Sequence, residues 1–193
     1  MEIHASLLAA NIFDQENWIN QFAAQIDAFH VDIIDPSFAN FVGIDYRIIP
    51  KLAQMEHKFY IHYMAKWNDD LIKQMVDAKP AGMFFHQSRI ENRLLFEQLS
   101  AFTKIGVALE LGEMPSFDVE HYLLMNVKLG YCGQEFNDAN IELSHKLKKQ
   151  GKTVFSDGGI KLEHLDLVKH FDAIVIGNTL NTTPIGQIYE KLK

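Results

Sequence analysis

His30 and Asp32 stand two residues apart in the apolar run Phe29-His30-Val31-Asp32-Ile33-Ile34-Asp35. In a β-strand that spacing sends both side chains out on one face. Burying such a pair without partners costs about 2–7 kcal/mol for a neutral polar group and more for a carboxylate. The pair therefore serves a metal ion or a reaction, or it is a core histidine tied to a neighbouring aspartate. Other polar residues fall at comparable places: Ser6 near the end of the first apolar run, His62 at the end of the third, His86 after the fourth, and Asp157 just after the seventh. His30, Asp32, His62 and Asp157 together make a four-donor set suited to Zn²⁺, Fe²⁺ or Mn²⁺. Taken singly, His62 and His86 read more readily as hydrogen-bonded core histidines. His4, His57, His121, His145, His164 and His170 fall on strand starts or helical segments and read as structural.

A second constellation is built from glycines. Ser156-Asp157-Gly158-Gly159-Ile160 follows the seventh apolar run and Ile176-Gly177-Asn178-Thr179 the eighth. Glycines there let backbone N–H groups approach an anion, and helix N-termini beyond them favour negative charge. The same glycines would also serve merely to turn the chain. Gly130-Tyr131-Cys132-Gly133-Gln134 reads as a loop able to cover a site, or as an ordinary turn.

The elements that must position these residues follow one rhythm. Apolar runs of strand length occupy residues 3–8, 28–34, 59–63, 82–85, 106–111, 122–127, 153–155 and 173–176. Between them lie segments with helical spacing: Trp18, Ile19, Phe22 and Ile26; Ile48, Ile49 and Leu52; Leu71, Ile72, Met75 and Val76; Leu94, Leu95, Leu99 and Phe102. Later come Ile141 with Leu147, then Leu162, Leu165 and Val168, then Ile185, Ile188 and Leu192. The stretch 115–121 is weakly patterned and is expected to form a short helix. Apolar strands without alternation, each followed by an amphipathic helix, indicate a parallel sheet covered by helices. Eight such units predict an α/β fold, one single-domain (β/α)8 TIM barrel spanning residues 1–193. Chemistry in that barrel sits at the C-terminal ends of the strands, where the polar residues above fall. Its usual length is about 250 residues, so the connections here must be tight. An open doubly wound sheet would carry Gly-x-Gly-x-x-Gly after the first strand, and residues 8–13 contain no glycine.

Composition excludes several classes. The net charge of −7 argues against nucleic acid or an anionic membrane as partner, and an anionic substrate would need a local device. Cys132 is the single cysteine, which rules out an intramolecular disulfide and suits a reducing compartment. Met1-Glu2-Ile3-His4 lacks the marks of a signal peptide, and no apolar run approaches the ~20 residues of a membrane span. A soluble cytoplasmic protein is expected.

Over nearly its whole length the chain resembles the ribulose-phosphate 3-epimerase family. The similarity is carried by Ser6-Leu7-Leu8-Ala9-Ala10, His30-Val31-Asp32-Ile33-Ile34-Asp35, Ile61-His62-Tyr63-Met64, Gly106-Val107-Ala108-Leu109, Met125-Asn126-Val127, Gly130-Tyr131-Cys132-Gly133-Gln134 and Asp157-Gly158-Gly159-Ile160, in that order. The resemblance implies interconversion of D-ribulose 5-phosphate and D-xylulose 5-phosphate. It implies one divalent metal ion (Zn, Fe(II) or Mn) on His30, Asp32, His62 and Asp157, with Asp32 and Asp157 also as the two proton-transfer groups. It further implies substrate contacts from Ser6, Met64, Met125, Gly130 and Gly133, a phosphate grip at Gly158, Gly159, Gly177 and Asn178, and a homo-oligomer.

Physical reasoning runs parallel to the resemblance. Inverting a carbon beside a ketone requires removing its proton from one face and returning one to the other, so two acids from separate strands are needed. Departures from the family pattern bear on the substrate: Asn11 for aspartate, Ile34 for a capping methionine, Pro36 for glycine, Glu110-Leu111, Lys128-Leu129 and Cys132 in the loops, and Asn178 for serine. Allulose 6-phosphate is the alternative substrate, and a non-catalytic sugar-phosphate-binding paralogue the alternative class. Sugar-phosphate decarboxylases and synthases of the same barrel carry Asp-x-Lys-x-x-Asp on strand 2, where this chain has His30 and Asp32 at the first two positions.

Overall fold

The computed structural model describes residues 1–55, 57–129 and 133–193. Parallel strands β1 (Glu2–Ser6), β2 (Ala28–Ile34), β3 (Phe59–Met64), β4 (Gly82–His86), β5 (Lys104–Leu109), β6 (His121–Met125), β7 (Thr153–Asp157) and β8 (Ala173–Ile176) pair in chain order, and β8 closes onto β1. This is the expected (β/α)8 barrel. Its sheath contains α1 (Gln15–Phe22), α2 (Ile49–Gln54), α3 (Asp69–Asp77), α4 (Arg93–Leu99), α5 (Ile141–Lys149), α6 (Leu165–Val168), α7 (Asn178–Thr182) and α8 (Ile185–Leu192). Where caps are visible they follow residue type: Asn68 accepts from Leu71 N ahead of α3, and Asn92 from Leu95 N ahead of α4.

Burial on both faces explains why the strands read as unbroken apolar runs; β2 and β3 are buried at every position. Side-chain alternation divides the apolar residues into two clusters. Ile3, Val31, Ile61, Val107, Leu124, Val154 and Ile174 face outward onto helix residues such as Phe22, Ile72 and Leu147. Ala28, Tyr60, Phe84, Leu123, Phe155 and Val175 face inward and fill the barrel. The rings of Tyr60, Phe84 and Phe155 lie 5.2–6.3 Å apart, and His4 stacks on Tyr60 at 4.6 Å, which closes the N-terminal half of the barrel. His4 Nε2 meets Glu2 Oε2 at 2.9 Å, a structural role in keeping with its place at a strand start.

Several expectations need correction. Residues 115–121 form no helix, and His121 opens β6. The backbone there finds partners elsewhere: Ser116 N donates to Gln87 Oε1, while the Tyr122 hydroxyl accepts from Val119 N and donates to Phe117 O. With those polar groups satisfied and Pro115 lacking a donor, a helix offers nothing more. Omitting that helix also helps fit the barrel into a short chain. Ile26 and Phe102 lie beyond the ends of α1 and α4, and Phe102 is exposed. The first, fifth and sixth strands end two residues before the apolar runs do, because Leu7–Ala9 already turns as a 3₁₀ helix and the later run ends lie in the loops after Leu109 and Met125.

Close packing inside the barrel makes Gly106 a sensitive position. A Cβ there would meet the Phe84 ring at 2.5 Å and His121 O at 2.7 Å. Gly106→Ala is expected to lose about 1–3 kcal/mol in urea unfolding through overpacking. Gly186→Ala, on α8 with no heavy atom within 4 Å of the new methyl, is expected to gain up to about 1 kcal/mol in the same measurement.

Candidate metal centre

Pairing register brings the four donors to one place. Ser6 lies beside His30 across β1 and β2, and Asp32 lies beside His62 across β2 and β3. Asp157 is the last residue of β7, beside Met125 of β6 and Val175 of β8. All point inward by alternation, above the aromatic floor. The strand carrying Asp32 is buttressed by the loop behind it, where Gly43 N donates to Ile34 O and Ile44 N to Asp32 O. Gly43 is needed there, since a Cβ would come within 2.5 Å of Asp32 O.

His30 Nε2 is 3.3 Å from Asp32 Oδ1 and 3.5 Å from Asp157 Oδ2; His62 Nδ1 is 3.2 Å from Asp32 Oδ1 and 3.7 Å from Asp157 Oδ2. One donor atom from each residue lies within 4.8 Å of the others. Donors about 2.1 Å from a tetrahedral ion are about 3.4 Å apart, so this spacing is that of ligands around a shared cation. His30 supplies a second test: it is fully buried, and neither ring nitrogen makes a hydrogen bond among the described residues. An ion at Nε2 would supply the missing partner for that atom. The four residues fit a divalent metal and can hold one.

Surrounding groups fix charge and orientation. Ser6 Oγ donates to Asp32 Oδ2 at 3.1 Å, leaving Oδ1 toward the donor cluster. Burial alone would raise the Asp32 carboxyl, but His30 and His62 beside it overcome burial and hold it well below the usual carboxylate range. Burial likewise opposes charge on His62, yet Asp157 and Asp32 push its imidazole up to about 9. Without an ion, His62 therefore carries a proton at neutral pH and balances part of the carboxylate charge.

The cluster opens into a cavity of about 230 Å³. Of the residues read from sequence, Ser6, Asp32, Met64, Met125, Gly133, Asp157, Gly158, Gly159, Gly177 and Asn178 line it, while His30 and His62 sit beneath. Met64, Met125 and Ile34 give it buried apolar walls. The turn after β7 needs its glycines: φ is 108° at Gly158 and 67° at Gly159, and a Cβ on Gly159 would lie 2.6 Å from Phe136 N. Thr179 Oγ1 donates to Ile160 O at 2.6 Å, so the turns after β7 and β8 are tied together. The helical structure after β7 begins only at Leu162, as a 3₁₀ turn. Gly130 and Cys132 lie outside the described residues. Lys128 and Leu129 line the cavity, whereas Glu110 and Leu111 do not; Glu110 O accepts from Asn140 Nδ2.

Sequence reasoning passed over Lys161, which lines the cavity directly after the glycine turn and has no ion-pair partner among the described residues. Its place one residue beyond Gly158-Gly159-Ile160 was the available signal. Phe38 and Phe41 were also missed, since they come from the long β2 to α2 loop, whose path no periodicity predicts.

Comparison with known proteins bears on this arrangement. The family model of the Ribulose-phosphate 3 epimerase family matches residues 2–181. A ribulose-phosphate 3-epimerase of Encephalitozoon cuniculi is 22% identical over 182 residues, covering 91% of this chain and 85% of its own. One from Aquifex aeolicus is 26% identical over 198 residues, covering 89% and 88%. Among solved structures, KGPDC of Streptococcus mutans, in a complex with a sugar phosphate, superposes with a TM-score of 0.72 at 12% identity, over 99% of this chain and 96% of that one. Phosphoribosyl anthranilate isomerase of Thermus thermophilus gives 0.71 at 15% identity, over 100% and 98%. At such identities these structures attest the barrel alone.

Metal uptake must displace the proton on His62, which gives the centre a pH signature. Titrating Zn²⁺ into metal-free protein is expected to release a proton near pH 7, read by calorimetry in buffers of different ionisation enthalpy. Apparent affinity is expected to rise with pH toward about 9, where His62 loses its proton unaided. Zinc at a hundredfold excess over its dissociation constant should add about 2.7 kcal/mol of stability. Heat uptake without proton release at pH 7 would contradict the charge assigned to His62.

Proposed function

The chain belongs to the Ribulose-phosphate 3 epimerase family, and from that premise we propose that it is a metal-dependent 3-epimerase of a ketose phosphate, with D-ribulose 5-phosphate to D-xylulose 5-phosphate as the first choice of reaction. The observation that carries the reading is the donor cluster itself, two imidazoles and two carboxylates at ion-sharing distances on the floor of an otherwise apolar cavity. A protein that only bound a phosphate would have no use for it.

Asp32 and Asp157 come from β2 and β7, on separate parts of the barrel wall, and both line the cavity. A ketose lying between them presents one face of C3 to each carboxylate. One takes the C3 proton as the other delivers a proton to the opposite face, and their roles exchange in the reverse direction. His30 and His62 hold Asp32 ionised at neutral pH, so it starts as a proton acceptor. A divalent ion on the four donors would polarise the ketone and stabilise the negative charge of the ene-diolate, worth several kcal/mol of barrier. Ser6 orients Asp32 through its hydrogen bond. Met64, Met125 and Ile34 keep water from the carbanionic carbon.

For the phosphate we assign the N–H groups around Gly158, Gly159, Gly177 and Asn178, with Lys161 as the cation beside them. This is the local device that an anionic substrate requires on a chain of net charge −7. The sugar phosphate bound to KGPDC of Streptococcus mutans supports such a ligand in a barrel of this shape. Lys128, Leu129 and Ile34 line the cavity where the family pattern differs, which favours another ketose phosphate such as allulose 6-phosphate as the second choice.

Proton exchange at C3, followed by NMR in deuterated water across a panel of ketose 5- and 6-phosphates, tests reaction and substrate together. Exchange with epimerisation of one panel member is expected; binding without exchange would point to a non-catalytic paralogue. Asp32→Asn and Asp157→Asn should each lower turnover by about 10²–10⁴-fold or more, and near-native turnover in either purified variant refutes the two-carboxylate assignment. Lys161→Met is expected to raise KM by about 10–100-fold, the worth of a hydrogen bond to a charged group, with a much smaller effect on kcat.

A further inference from the structure

Nothing in the reaction proposed above employs His86, although it is nearly fully buried at the end of β4. Its Nε2 lies 2.9 Å from Nε2 of His62, and the two rings stack at 5.0 Å with 22° between their planes. We propose that His86 is a positioning residue for the metal centre: by accepting a hydrogen bond from His62 Nε2–H, it fixes the tautomer and ring orientation that present the His62 Nδ1 lone pair to the ion. The proposal rests on the metal-centre reading and deepens it.

The argument is one of proton counting. Two imidazole nitrogens at 2.9 Å need one proton between them, since two lone pairs or two N–H groups would repel. His62 Nδ1 faces Asp32 and Asp157, so in a metal-loaded neutral ring that atom is the donor and the proton belongs on Nε2. His86 Nε2 must then be the acceptor and its own proton must sit on Nδ1. Nothing else competes for the assignment, because His86 Nδ1 has no hydrogen-bond partner among the described residues. Packing holds the acceptor still: Phe38 lies against the far side of the His86 ring at 4.9 Å, and His62 covers the near side.

A ligand histidine commonly donates its second N–H to a carboxylate or a backbone carbonyl. Here the partner is a neutral imidazole, which withdraws less of the proton and leaves His62 a weaker electron donor to the ion. Losing the partner would strand a buried N–H and let the ring turn over, swapping Nδ1 for a carbon at the ion.

Two substitutions separate this role from simple packing. His86→Phe keeps a ring between Phe38 and His62 but offers no acceptor, whereas His86→Gln restores an acceptor oxygen. The readout is the Zn²⁺ dissociation constant by chelator competition, beside urea unfolding of the metal-free proteins. His86→Phe is expected to bind zinc about 10–100-fold more weakly, with the metal-free midpoint little changed, and His86→Gln to recover most of the affinity. Independently of any variant, ¹⁵N NMR of the zinc-loaded wild type should show His62 protonated on Nε2 and ligated through Nδ1. Unchanged affinity in His86→Phe, or a His62 ligated through Nε2, overturns the proposal while leaving the metal centre intact. A wild type that takes up no metal overturns both.

Discussion

Two imidazoles and two carboxylates share a space less than 5 Å across inside a barrel whose remaining interior is largely apolar. That crowding is the constraint around which the rest of the molecule is arranged. Like charges at such distances, shielded from water, destabilise a fold unless protons or a cation neutralise them. In the ion-free chain the compensation is visible as a strongly acidic Asp32 facing a strongly basic His62. A divalent cation answers the same imbalance more completely and gives the orphaned His30 nitrogen a partner.

The barrel separates the work of stability from the work of chemistry along its axis. Below the donors, His4, Tyr60, Phe84 and Phe155 pack ring against ring and exclude water from the N-terminal half. Above them, the same inward alternation continues with ionisable residues and methionines in place of aromatic rings. Outward-facing residues belong throughout to the helix-covered core, so polar groups enter the interior without interrupting the apolar sheath. The donors are rigid because they are strand residues, and strands buried on both faces have little room to move.

Charge placement completes the picture. The acidic residues at the cavity lie at its floor, while Lys128 and Lys161 sit on the loops after β6 and β7. An anionic ligand entering a chain of net negative charge would be oriented by this polarity, its anionic end toward the lysines and glycine turns and its uncharged part toward the cation site. The bond from Thr179 to Ile160 joins the two glycine turns, so both move as one unit if they move at all.

The eight-strand rhythm was legible because each strand is buried on both faces and each helix on one, and burial leaves its period in the residue types. Both ends of β2 and β8 coincide with their apolar runs for that reason. His30, Asp32, His62 and Asp157 were legible too, since ionisable residues at strand ends are conspicuous against an apolar background. Segments whose backbone is satisfied by distant side chains were not: residues 115–121 depend on Gln87 and Tyr122, and neither dependence leaves a local period. The pairing of His62 with His86 was equally invisible, because it joins two strands at a register that only the closed barrel sets. By itself, then, the sequence determined which residues face the interior, through the alternation of side chains along each strand. Only the tertiary structure decided which of them touch, because contact depends on the stagger between strands and the paths of loops that no short-range pattern encodes.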